Sequence, residues 1–408
     1  MKKGGEEQLI WVVYAVAFVD MCSASMITTL LASYLRDSVG LSASLAGLVL
    51  SIYGLVQFAS SPVIGGISDL FGYKNVLFYT LLLCSLAYSI LIERWLPAIL
   101  LSRVLAGTFK HTQNLCKSVT TAVVTSETEK LRVFGRLNSM GNFAFIFVPS
   151  LAGFISVRFG FGLLFLLTAI VFALNALMVY CFLPDHLYKL ERTPKRDGNN
   201  NPTSFVALVR EVDWKSQWDL MLVRFLQSFV VILYRSSLTW ALSEKFHTTP
   251  QTIGYLTSFQ GGVSFCAAYF IGPLVSWYGR DRVTVFSQAS LLMCLAYAAL
   301  YLSPSLLWYT VSLGVLCAAT SMLRVLNLDL TVERCEANDI GLMIGVGASL
   351  VSGARAVCPA IGGLMHDLNR ELPTLASCLI AAVAYVVVFK YGRSNQRRFA
   401  VKKVEGRE

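Results

Sequence analysis

The sequence predicts an all-α membrane protein of twelve transmembrane helices in two pseudo-symmetric six-helix bundles. Three observations predict it. The 408 residues are 55% hydrophobic and only 14% charged, with a mean hydropathy of +0.61, whereas a soluble chain carries about 25% charged residues. Apolar runs of about 20 residues, long enough to cross a bilayer as helices, recur from end to end. The second half repeats the first.

The spans are expected at 9–35, 44–67, 75–92, 96–119, 135–157, 161–183, 218–242, 252–275, 283–302, 306–327, 341–364 and 372–391. The first is expected to be a span and not a cleavable leader: Met1–Gln8 is polar, and the apolar run behind it is too long and lacks a small-residue cleavage site. Positive charge fixes the orientation. With both termini cytoplasmic, the opposite-side loops hold only Arg36, Arg94, Arg158, Lys245 and Arg370 of the 34 Lys and Arg residues, which is the asymmetry of the positive-inside rule. The net charge of +10 therefore calls for no nucleic acid. The predicted divisions are an N-terminal bundle (1–183), a cytoplasmic linker (184–217), a C-terminal bundle (218–391) and a basic cytoplasmic tail (392–408).

The repeat is direct. With a shift of 207, Gly47, Ser51, Gly54, Val56, Phe58, Ile64, Gly65 and Gly72 meet identical residues; with 210, Gly135, Ser139, Ala144, Pro149 and Gly153 do. Six spans return the chain to its starting side, so the halves are parallel. Paired halves of this kind place a solute site between them near the midplane.

Motifs sharpen the reading. The run GGISDLFGYKNVL after span 2 holds Gly65, Asp69, Gly72 and Lys74; span 4 holds Arg103-x-x-x-Gly107; Pro149-x-x-x-Gly153 and Pro359-x-x-Gly362-Gly363 lie in spans 5 and 11. In these residues the chain resembles the major facilitator superfamily, in particular its tetracycline- and drug:proton-antiporter-like carriers. Leu70 and Tyr73 replace two usual basic residues, and Ala144 and Val148 stand where glycines are usual. The resemblance implies a secondary carrier working by alternating access, with spans 1, 4, 7 and 10 lining a central cavity. The loop around Asp69 is expected to turn on Gly65, Gly66 and Gly72. Asp69 would latch the amino end of span 11 near Ile340, with a plain turn cap as the alternative. Pro149 and Pro359 are expected to bend their helices.

The cavity candidates are the intramembrane polar groups. On a continuous helix, Arg103, Gly107, Lys110, Asn114 and Lys117 fall within about 80° of one another, a stripe about 21 Å long; lipid would penalise its central cations by about 3 kcal/mol each. Asp20 in span 1 is either a proton-coupling carboxylate or a counter-charge for Arg103 or Lys110. His111 is a pH-sensitive group or a hydrogen-bonded structural one. Span 7 offers Arg224, Gln227, Ser228 and Arg235; span 10 ends with Arg324, Asn327 and Asp329; span 11 carries Arg355. Asp20 is the one acid placed well inside a span, so the buried cations outnumber it and favour an anionic or zwitterionic solute. Drug-type relatives would instead favour lipophilic cations.

No metal site is expected: the ten cysteines and four histidines form no ligand spacing. GGIS and GVGAS follow no strand, so no nucleotide cofactor and no enzyme is expected. The expected partners are a small-molecule solute, a coupling proton and membrane lipids, with the chain acting as a monomer. A receptor or lipid-interacting scaffold of the same fold is the alternative function. The sequence leaves the plasma membrane and organelle membranes open, and its lack of an N-x-[ST] acceptor with a permitted middle residue tilts the expectation weakly towards an intracellular membrane.

Overall fold

A computed structural model describes residues 3–124, 127–184, 214–279, 281–334 and 340–405. Among the described residues no strand forms. Helix α1 (Lys3–Ser33) runs into a π turn (Tyr34–Ser38), and α2 (Ala43–Phe71) starts at the Ser42 cap, whose hydroxyl accepts from Leu45 N–H at 3.3 Å. They are followed by α3 (Tyr73–Ser89), α4 (Leu96–Phe109), α5 (Thr112–Val123), α6 (Glu127–Phe159) and α7 (Phe161–Phe182). The second half supplies α8 (Trp214–Phe246), α9 (Pro250–Trp277), α10 (Arg282–Tyr301), α11 (Leu306–Arg334), α12 (Ile340–Leu368) and α13 (Leu372–Glu405).

Eleven of these helices are long and apolar enough to cross a bilayer. The fourth span is divided into α4 and α5, of 14 and 12 residues, each too short to cross alone. Large apolar side chains stay outward: Trp277 is 81% exposed, Leu368 80% and Leu70 76%. Water would not tolerate so continuous a surface, whereas lipid does.

The chain forms two compact units. One comprises Met1–Leu190, Arg235–Phe265 and Arg355–Arg370. Its core includes Tyr34, Leu77, Leu81, Phe165 and Phe172, and the Tyr34 hydroxyl donates to Leu91 O at 3.1 Å. Within this unit the duplicated residues make duplicated contacts. Gly47 on α2 leaves room for the Pro359 carbonyl on α12, and Gly254 on α9 does so for Pro149 on α6. Beside them, the Ser51 hydroxyl accepts from Ala360 N–H (2.9 Å) and the Ser258 hydroxyl from Ser150 N–H (3.0 Å). A proline disturbs the ladder around it, and a facing serine takes the adjoining N–H in both copies.

The other unit comprises Glu191–Tyr234, Cys266–Ala354 and Glu371–Glu408. Its polar centre is a buried ion pair: Arg334 Nη1 meets both Asp219 oxygens at 2.8 and 3.0 Å, and Arg334 Nη2 donates to Gly392 O at 3.0 Å. Asn327 Nδ2 donates to Leu220 O at 3.0 Å.

Several expectations are corrected here. Gly65 and Gly66 do not turn; α2 runs through them to Phe71. Only Gly72 reverses the chain, at φ +85°, and its repeat partner Gly279 sits at φ +63°, backbone that side chains other than hydrogen resist. Span 10 does not end near Asp329 but continues to Arg334, and the last helix passes the expected tail boundary to reach Glu405. Asp20 is not the one deep acid, since Asp219 is 2% exposed. The linker 184–217 lies mostly outside the described residues, as do the side chains of Asp69 and Ile340 at its expected latch.

Candidate functional site

The centre of the N-terminal half is the gap between α4 and α5. Lys110 adopts φ −77°, ψ 68°, and His111 N–H donates to Phe109 O at 2.8 Å. Together these define an inverse γ-turn centred on Lys110. Such a turn frees helix carbonyls, which must find donors inside a membrane. Two side chains of α2 supply them: Gln57 Nε2 donates to Lys110 O at 2.7 Å, and the Ser60 hydroxyl donates to Gly107 O at 3.2 Å. Ser60 also lies 2.8 Å from His111 Nε2. Removing the amide in Gln57→Leu would leave the Lys110 carbonyl buried and unpaired. The expected loss is about 1–3 kcal/mol, read as a lower unfolding midpoint of the purified protein.

The turn delivers Lys110 to Asp20. Nζ lies 2.5 Å from Asp20 Oδ1, with the carboxylate fully buried. Gln113 Nε2, in the first turn of α5, donates to Asp20 Oδ2 at 3.3 Å and to Ala17 O at 3.0 Å. The ammonium also lies 5.2 Å from the centre of the Phe172 ring, a cation–π contact. The pair is thus enclosed by α1, α5 and α7.

The continuous five-residue stripe expected on span 4 does not exist, because the turn at Lys110 resets the helical phase. Arg103, Gly107 and Lys110 are buried, whereas Asn114 is exposed. Arg103 rests on the Tyr88 ring at 5.5 Å and donates to the Ser102 hydroxyl at 3.3 Å; among the described residues no carboxylate pairs with it. Lys117 and Ser228 are partly exposed. Arg235 reaches Gln260 Oε1 at 3.4 Å from an exposed position, and Arg324 and Arg355 are also exposed. Lys74 lies 5.3 Å from the Tyr180 ring centre. Pro149 and Pro359 both lie inside helices, with Gly153, Gly362 and Gly363 one turn on.

A second polar cluster joins the loop-side ends of α1, α8 and α12. Arg36 Nη2 lies 2.6 Å from Glu244 Oε1, and His366 Nε2 lies 3.2 Å from Glu244 Oε2. Trp240 Nε1 donates to Ala32 O at 3.2 Å. Asp367 accepts from Ala43 N–H (3.2 Å), Ser44 N–H (2.8 Å) and the Ser44 hydroxyl, placing a carboxylate on the positive end of α2.

The sequence of known proteins agrees with this architecture. The Major Facilitator Superfamily profile matches twice, over residues 13–219 and 220–406. The chain belongs to the Major Facilitator Superfamily. It is therefore an integral multi-pass membrane protein of a transporter family. Multidrug resistance protein 2 of Bacillus subtilis is 23% identical, covering 97% of this chain and 99% of that one. Solute carrier family 22 member 18 of Mus musculus is 24% identical over 88% of this chain and 89% of its own length. Among solved structures, a bacterial homolog of the human lysosomal transporter Spinster superposes with a TM-score of 0.79 at 13% identity, covering 97% of this chain and 99% of that one. The human organic anion transporter MFSD10 (TETRAN) does so at 0.66 and 17% identity, covering 94% and 99%.

Proposed function

We propose that this superfamily member is a secondary-active transporter of a small organic solute, coupled to protons through Asp20 and working by alternating access. One observation carries the reading. A transmembrane segment breaks at the residue whose ammonium holds a buried carboxylate, and broken helices of this kind mark solute and ion sites in carriers. Protonation of Asp20 would release Lys110, and a negatively charged solute group could then take the carboxylate's place. The charge asymmetry of the loops supports a cytoplasmic side for both termini.

The solute is proposed to be anionic or zwitterionic. The buried cation surplus behind this is smaller than the sequence suggests, since Arg235, Arg324 and Arg355 are exposed and Asp20 neutralises Lys110. It persists at Arg103 and Arg224, which have no carboxylate partner among the described residues. A second reading, a lipophilic drug or cation:proton antiporter, is favoured by the names of bacterial relatives such as Multidrug resistance protein 2.

Proteoliposomes decide between them. Wild type is expected to move organic anions or zwitterions down an imposed pH gradient. Asp20→Asn is expected to lose the gradient dependence while retaining exchange of solute for solute. Flux that stays equally pH-dependent in Asp20→Asn removes the coupling role. Flux of lipophilic cations alone supports the second reading, and no flux in folded wild type leaves a receptor or scaffold.

A further inference from the structure

We propose that Arg224, seated on Gly347 and flanked by Gln227, is a docking point for an oxyanion, the chemistry shared by carboxylates and phosphates. The inference deepens the anionic-solute reading and rests on it.

Helix α8 places Arg224 and Gln227 three residues apart, neighbours on one face. The guanidinium lies against α12 where that helix has no side chain. A Cβ at Gly347 would meet Arg224 Cζ and Nε at 2.7 Å and Nη1 at 2.9 Å. Around this seat the two helices meet through apolar groups: Met221 and Met343 are buried, with Val346 and Leu350 packed on them. The setting offers the cation nothing to bind.

Neither donor has an acceptor among the described residues. Among the described residues no carboxylate pairs with Arg224, unlike Lys110 and Arg334. Gln227 is only 8% exposed, and its Nε2 has no hydrogen-bond partner among the described residues. A buried donor left unmade is costly, and the Gln227 amide and the half-buried guanidinium one turn away are satisfied together by an acceptor-only group. The guanidinium fork matches the oxygens of a carboxylate or phosphate, and the amide adds a third donor. Arg224 remains partly exposed, so a ligand can approach it.

Gly347→Ala isolates the idea. The new methyl would collide with the far end of a flexible side chain and not with backbone, so the fold is expected to survive while the guanidinium is displaced. Purified wild type, Gly347→Ala, Arg224→Gln and Arg224→Lys are titrated calorimetrically with sulfate and benzoate in phospholipid-free detergent, with tetraethylammonium as the control cation. A second arm adds phosphatidylglycerol to the micelles. Wild type is expected to bind an anion, with affinity falling about tenfold or more in Gly347→Ala and Arg224→Gln and only partly kept in Arg224→Lys, while unfolding midpoints without anion stay equal.

If phosphatidylglycerol alone separates wild type from Gly347→Ala, the site stands with a lipid phosphate as its ligand. Equal anion binding by wild type and Gly347→Ala overturns it, as does binding of no anion in either arm. Proteoliposome flux separates this from the transport reading: where sulfate or benzoate is the ligand, gradient-driven transport of that anion with an unchanged KM in Gly347→Ala sinks the docking point and leaves the transporter.

Discussion

Lys110→Met alone is expected to cost about 3–5 kcal/mol of stability, the usual penalty for removing one partner of a buried ion pair. The carboxylate left behind is fully buried, with Gln113 Nε2 as its remaining donor at 3.3 Å. It must then persist as an uncompensated charge or take up a proton. Asp20→Asn is expected to cost less, because the amide oxygen can still accept from Gln113 and a buried ammonium can shed its proton. The double variant Asp20→Asn/Lys110→Met should recover most of the loss, since well-packed apolar groups often replace a buried pair at little cost. The check is a double-mutant cycle on unfolding midpoints in detergent. A double variant destabilised by the sum of the two single losses would show that the two side chains act independently. In that case Lys110 is held by its turn and by Phe172, not by Asp20. The same variants report on function: if the pair is the coupling site, the stable double variant should be folded and without gradient-driven flux.

Much of the fold was legible because lipid leaves few alternatives. Each span must satisfy its own backbone, so twelve apolar runs meant twelve helical crossings, and the Gly, Ser and Pro repeats at Gly47, Ser51, Pro149 and their counterparts anticipated a duplicated packing. The break in span 4 was hidden. Residues 96–119 read as one helix because Lys110 and His111 have no strong helix-breaking propensity. What unwinds the segment is tertiary: Gln57 and Ser60 on α2 satisfy the freed carbonyls. Their spacing of three in an apolar helix was a visible signal, since polar groups at that spacing share a face. The partnership of Asp219 with Arg334 had no such signal, lying 115 residues apart in sequence. Nor did Asp367 on the amino end of α2, which pairs residues more than 320 positions apart. Charge surplus read from span composition therefore overstates what the folded chain leaves unpaired.

Gly47→Ala and Gly254→Ala are each expected to force a helix pair apart, because each introduces a methyl onto a backbone carbonyl. At Gly47 the obstacle is Pro359 O; at Gly254 it is Pro149 O. Neither carbonyl can rotate away as a side chain could, so the helices must separate, and overpacking of this kind costs about 1–3 kcal/mol or more. Separation also strains the flanking hydrogen bonds, Ser51 to Ala360 N–H at 2.9 Å and Ser258 to Ser150 N–H at 3.0 Å. At the α2–α12 contact it pulls Ser44 from Asp367 as well, a tie the α6–α9 copy lacks because Val157 stands at the repeat position of Asp367. Gly47→Ala should therefore perturb this end of the first unit more than Gly254→Ala does. The reporter is Ser44→Cys, labelled by a membrane-impermeant maleimide with the exposed Cys181 and Cys266 replaced. Labelling should be slow with both glycines present and rise about tenfold in Gly47→Ala, the change a shift of about 1.4 kcal/mol produces. It should rise less in Gly254→Ala. Under alternating access the first variant would hold this end apart and lose net transport while keeping its fold. Unchanged labelling in both would mean that the helices absorb a methyl by local bending, and that the duplicated glycines are permissive packing positions and not the surfaces on which the end closes.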